Sequence, residues 1–231
     1  LEIAAEAVKP STGPGGRPLP LASHWNTGIV RNTFTPAHQI QLIQDGHHVL
    51  PWMAWPRASG IGKQAHYYGA LLNYLAELKL PFSIRGTQWE ASLLSKQYRN
   101  VPDSLWAGVI KPDGSRMNRL SPFGSVSAWE IPARGFIDTK GMRQLQEIYP
   151  DPPLVILLSN NEAPSLRWPT GGPVESLSGR YLKQYGEGQS DEFKRRVFGE
   201  GWIERYSTMF AAMRSALKEP LWQENALFVG Y

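Results

Sequence analysis

Leu154-Val155-Ile156-Leu157-Leu158-Ser159 is a strand-sized apolar run that ends on a polar residue and passes directly into Asn160-Asn161-Glu162-Ala163-Pro164. Pro150, Pro152 and Pro153 precede it, so no helix can run into it from the N-terminal side. On that side the pattern is a helix over Lys140–Ile148, a long connection from about Thr87 to Thr139, and a strand from Pro81 to Gly86. Before these come a helix over about Gln64–Lys79 and an apolar strand from His48 to Trp55. Leu71, Leu72, Leu75 and Leu78 recur in the Gln64–Lys79 helix at the three-to-four spacing of a face packed on a sheet. Thr35-Pro36-Ala37-His38 opens an earlier helix as an N-cap followed by proline, with Ile40 and Ile43 as its apolar side and Gly46 closing it. A short strand, Pro20–His24, stands before that helix. On the C-terminal side a second long loop leads to a helix over Asp191–Leu217, with a break expected at Gly199 and Gly201, and then to a fifth strand at Ala226–Gly230.

Strands that alternate with helices belong to a parallel sheet, because parallel neighbours need crossover connections. Two architectures share that alternation, the open doubly wound sheet and the closed (β/α) barrel of TIM type. No glycine-rich phosphate loop follows the first strand, which speaks against the first. Long loops after the third and fourth strands speak for the second, since barrels grow their sites at the strand C-terminal ends. The expected fold is therefore α/β, the first five strands of a parallel barrel over residues 19–231. Strands six to eight are expected beyond Tyr231. Residues 1–18, with Pro10, Pro14, Pro18, Gly13, Gly15 and Gly16, read as an arm with no regular structure.

The 231 residues are 42% hydrophobic, enough for a sizeable core. The formal charge of +4 is too small to select partners by long-range attraction. Lys194-Arg195-Arg196 reads as a solvated helix face and not as a nucleic-acid patch. The chain contains no cysteine, which excludes disulfides and thiolate chemistry. No apolar run approaches the roughly 20 residues of a membrane span. The start at Leu1 looks processed or excerpted. The compartment stays open, with a secreted or periplasmic location favoured.

An apolar strand that delivers Asn161-Glu162 to its C-terminal mouth places a candidate general acid beside an amide suited to a sugar hydroxyl. This arrangement resembles the clan A glycoside hydrolases, retaining barrel enzymes whose acid/base glutamate follows an asparagine at the end of the fourth strand. The resemblance implies that Glu162 is the acid/base and that Asn161 contacts the hydroxyl next to the reacting carbon. It also implies a nucleophilic glutamate on a seventh strand, which the five strands read here do not include. No cofactor is expected.

The nine tryptophans add to this picture. Trp25, Trp55, Trp89, Trp129 and Trp168 fall at or beyond strand ends, where their faces can stack on sugar rings. Trp202 and Trp222, in helical stretches, read as packing. His24, Asn26, Arg85 and Glu90 supply further polar groups at the same mouth, and Arg85, a charge within a strand, calls for either a carboxylate or a substrate. His24, His47, His48, Glu90 and Glu162 lack the spacing of a compact ligand motif, so no metal site is assigned. No nucleophile-elbow pattern for serine chemistry is present. The expected partner is a carbohydrate. The alternatives are a barrel that binds carbohydrate without cleaving it and a metal-dependent barrel isomerase or hydrolase.

A sheet of five parallel strands leaves two edges of unpaired backbone groups. The 231-residue chain produced alone should therefore aggregate in size-exclusion chromatography, and a monomer that melts cooperatively would overturn the partial-barrel reading.

Overall fold

The structure is a computed structural model and describes residues 35–45, 50–87, 89–95, 100–159, 163–168 and 174–229. The expected arm at 1–18 and the expected strand at Pro20–His24 lie outside the described residues. In chain order the main elements are α1 (Pro36–Gln44), β1 (Trp52–Ala54), α2 (Ala65–Glu77), β2 (Phe82–Thr87), α3 (Trp89–Ser92), β3 (Gly108–Ile110) and β4 (Arg116–Leu120). They continue with α4 (Ser127–Ile137), α5 (Lys140–Ile148), β5 (Val155–Ser159), α6 (Val174–Leu177), α7 (Gly179–Tyr185), α8 (Asp191–Ala216), α9 (Pro220–Asn225) and β6 (Ala226–Val229).

The chain divides into two compact units. The first comprises Leu1–Thr87, Asp138–Leu158 and Leu217–Gly230, and the second Gln88–Ile137, Ser159–Ala216 and Tyr231. The protein is mixed α/β with a parallel sheet in the order β1-β2-β5-β6. Trp52 pairs with Ser83 and Ala54 with Arg85, while Val155 pairs with Ala226 and Leu158 with Val229. Consecutive parallel neighbours are what the sequence alternation predicts. The described residues contribute four strands to that sheet, against the eight that close a barrel.

In the first unit α2 buries Tyr68, Leu71, Leu72 and Leu75. Leu78, expected on the same face, is half exposed because the helix ends at Glu77 and Leu78 serves as its C-cap. Phe82 stacks on Tyr149 and meets Trp222 edge-on, each at 5.6 Å. The Trp222 indole donates to the Tyr149 carbonyl at 2.6 Å. Gln146, fully buried on α5, accepts from the N–H groups of Lys218 and Glu219 at 2.8 and 3.1 Å and so satisfies backbone donors at the start of α9.

Among the described residues β1 is an edge of the sheet, and side chains meet its outward groups. Ser83 N–H donates to the Pro51 carbonyl and Trp55 N–H to the Arg85 carbonyl, so the alternation of a parallel pair turns the groups of Trp52 and Ala54 the other way. There Gln39 of α1 copies a neighbouring strand, donating from Nε2 to the Trp52 carbonyl at 3.0 Å and accepting from its N–H at 2.8 Å. The Tyr68 hydroxyl donates to the Ala54 carbonyl at 3.1 Å. This role reverses the expected face of α1: Gln39 and Leu42 are buried, whereas Ile40 and Ile43 are only partly covered.

The second unit holds most of the long connection between β2 and α5, which contains α3, the antiparallel pair β3-β4 and α4. Val109, Phe123, Leu166, Val174, Tyr181, Val197 and Phe198 form its core cluster. The 26-residue α8 runs unbroken through the expected interruption. Gly201 is small because the helix passes against the loop at Pro122, where a Cβ would lie 2.5 Å from the Pro122 carbonyl oxygen. A Cβ at Gly199 would meet nothing within 4 Å. Gly201→Ala should thus destabilise the protein by about 1–3 kcal/mol, whereas Gly199→Ala should stabilise it by up to about 1 kcal/mol. Chemical denaturation of the two variants beside the parent checks both signs.

Candidate active site at the strand ends

β5 places Ser159 at its C-terminal end, and Ser159 is almost fully buried. Its hydroxyl donates to Oε2 of Glu90 at 2.5 Å. Glu90 lies in α3, three residues after the end of β2, and is 1% exposed. A carboxylate held in an apolar setting is costly unless hydrogen bonds replace its lost water, and Ser159 supplies one.

The same unit carries a chain of aromatic contacts. Trp89 is fully buried and lies edge-on to Phe210 at 6.3 Å; Phe210 is 5.8 Å from Tyr206, which is 5.4 Å from Trp129. Phe198, Trp202, Tyr206 and Phe210 recur every fourth residue, so they form one stripe along α8. The Tyr206 hydroxyl is pushed up to about 12, first by its burial and then by the negative charge of Glu90.

The other predicted site residues fall in several places. Glu162, Asn161, His24, Trp25 and Asn26 lie outside the described residues, as do His47 and His48. Trp129, expected in a loop at the mouth, sits within α4 and is fully buried against Trp202 and Tyr206, so its face is spent on core packing. Trp89 is likewise core. Sequence position puts a tryptophan after a strand but does not say whether its ring turns inward. Trp168 is half-buried, packed on Phe198 at 5.8 Å with the Arg195 guanidinium 5.7 Å from its ring.

In the first unit, Trp55 is half-buried and directly follows β1. Arg85, buried in β2, lies over the ring of Trp52 at 4.8 Å, so an aromatic face meets the charge that the sequence assigned to a carboxylate or a substrate. Burial pushes its guanidinium below the ordinary arginine value, an effect that Tyr67 partly opposes.

No family model, curated protein or solved structure matches the chain. The grouping of Glu90, Ser159 and Tyr206 therefore stands on geometry alone. Ser159 had a sequence signal, as the polar residue that closes the apolar run. Tyr206 had only its place in the four-residue aromatic repeat. Among the described residues, no three histidine, aspartate or glutamate side chains group as a metal site would need, and no helix is long and apolar enough to cross a membrane.

Two tests follow from this geometry. Trp89→Ala and Trp129→Ala should each cost about 3–5 kcal/mol, the range for large aromatic truncations in a core, and a loss below about 1 kcal/mol in denaturant melts would show that neither ring is core. Tyr206 gives a pH signature. The unfolded chain ionises this phenol near the ordinary value of about 10, while the folded protein keeps the proton to about 12. The unfolded state thus binds fewer protons between those values, and stability falls as pH rises through that window. Tyr206→Phe should flatten part of that fall in denaturation midpoints measured across the window, and an unchanged slope would sink the assignment.

Proposed function

We propose that this protein is a retaining glycoside hydrolase acting on an oligosaccharide or polysaccharide, with Glu162 as acid/base and Asn161 as the residue that holds the neighbouring sugar hydroxyl. The observation that carries the proposal is the end of β5. An inner strand of a parallel sheet finishes on Ser159, which is bonded to the buried carboxylate of Glu90, and Asn160-Asn161-Glu162 follows at once in the sequence. Three residues span at most about 11 Å, so the chain tethers Glu162 to the end of the strand where Glu90 is held.

In this mechanism Glu162 protonates the leaving oxygen while a second carboxylate attacks the sugar carbon. Glu162 then deprotonates the water that releases the covalent glycosyl-enzyme. The nucleophile comes from a later strand of a closed (β/α) barrel, of which β1, β2, β5 and β6 would be consecutive members. Glu90 stays with Ser159 and fixes the end of β5.

The acid/base residue matters most when the leaving group is poor. In the full-length protein Glu162→Gln should nearly abolish cleavage of natural glycosides while still forming the glycosyl-enzyme from substrates with activated leaving groups. Added azide should restore turnover by replacing the water that no longer loses its proton. Unchanged activity on natural substrates would remove Glu162 from the mechanism, and binding of oligosaccharide without turnover by the parent protein would mark a carbohydrate-binding barrel instead.

A further inference from the structure

The second unit contains an open cavity of about 490 Å³ whose rim and walls are rich in cations. Lys111, Arg180 and Lys183 line it, against a single carboxylate, Asp103. That carboxylate is already engaged: Arg116 donates to its Oδ1 from Nε at 3.0 Å and from Nη2 at 2.6 Å. Asp113, next along the chain from the lining residue Pro112, is also engaged, by the Ser115 N–H at 2.8 Å and the Ser115 hydroxyl at 2.6 Å. These bonds, with a smaller contribution from Lys111, hold Asp113 below the usual carboxylate range.

Arg180 has a structural use. It donates to the carbonyls of Trp106 at 2.9 Å, Gly108 at 3.2 Å and Asp103, pinning the backbone on one side of the cavity. Carbonyls satisfy its N–H groups without cancelling its charge. Burial lowers its pKa first, Asp103 opposes that, and Arg116 and Arg205 lower it further, as expected where cations crowd together. Lys111 and Lys183 pin nothing: among the described residues neither ammonium has an ion-pair partner within 4.0 Å. Converging like charges on a concavity with low-dielectric walls focuses a positive potential into it.

We propose that this cavity binds a small molecule carrying a phosphate or sulfate ester, with Lys111 and Lys183 as its charge contacts and Arg180 as the fixed positive background. A tetrahedral oxyanion accepts from several directions at once, which suits two flexible ammonium groups. Ile110, Pro112 and Phe123 give the same cavity apolar surface for the carbon skeleton, and its volume suits one ring-sized ligand. The ester could belong to a free phosphorylated sugar or to a sulfated saccharide, and the two sources share this chemistry.

Isothermal titration calorimetry on the full-length protein with glucose 6-phosphate, a sulfated disaccharide and unmodified glucose tests the proposal. At least one ester should bind, more weakly as salt is raised, and glucose should not bind. The tighter ester identifies the source. Lys111→Ala and Lys183→Ala should each weaken binding by about tenfold, the scale of one charged hydrogen bond. Both lysines are surface residues of loop and short helix, so circular dichroism should be unchanged, and Lys218→Ala, outside the cavity, should bind like the parent. Absence of binding by both esters, equal affinity for glucose, or full affinity in the Lys111→Ala/Lys183→Ala double variant would each overturn it.

Discussion

Parallel strands cannot be joined by a tight turn, and everything else in this chain follows from that. Each strand must be left at one end of the sheet and the next entered at the other, so β1, β2, β5 and β6 all finish on the same side. Two of those exits are long. The residues that leave β2 and those that leave β5 do not form separate loops; together they make the second compact unit, Gln88–Ile137 with Ser159–Ala216. The bond between Ser159 and Glu90 joins the two excursions near their starts. The same constraint gathers polar side chains at strand C-terminal ends in parallel folds generally.

Among the described residues β1 is an edge of the parallel sheet, and side chains meet its outward groups. Gln39 presents an amide with the same donor and acceptor as a peptide unit, and its two bonds to Trp52 replace the pairing a neighbour would make. Tyr68 takes the next carbonyl. An additional strand beside β1 would find these groups already satisfied, and barrel closure at that edge would have to exchange buried side-chain bonds for backbone ones. The net gain of such an exchange is small, because a hydrogen bond is traded for a hydrogen bond.

Local chemistry made several elements readable before the structure. Thr35 with Pro36 is a capping signal, and the threonine side chain accepts the expected backbone N–H; Thr139 caps the helix that starts at Lys140 in the same way, which the sequence reading passed over. The four sheet strands were all expected, at His48–Trp55, Pro81–Gly86, Leu154–Ser159 and Ala226–Gly230, the first and third of them as apolar runs. The pair β3-β4 was not, because Arg116-Met117-Asn118-Arg119-Leu120 is mostly exposed and carries no apolar period. The expected break in α8 failed for a related reason: glycine is ambiguous in sequence, and only the nearby Pro122 shows that Gly201 serves close packing. In the site, Glu90 was recognisable as a carboxylate near a strand end, but its partner Tyr206 arrives from 116 positions later along the chain. No local pattern encodes so distant a meeting.

The burial of Glu90 decides what work that carboxylate is fitted for. A general acid must exchange protons with substrate and water during each turnover, which requires access as well as a suitable pKa. Glu90 is buried, bound by Ser159 and close enough to Tyr206 to raise the pKa of that phenol. A carboxylate in that position is suited to holding backbone in place. Its hydrogen bond fixes the last residue of β5, and any group a few residues beyond Ser159 inherits a defined starting point. Rigid support behind a reacting residue is what keeps catalytic geometry within the narrow tolerance that chemistry demands. Glu90 is therefore fitted for a positional task, and the Ser159 hydroxyl is the group through which it acts on the end of β5.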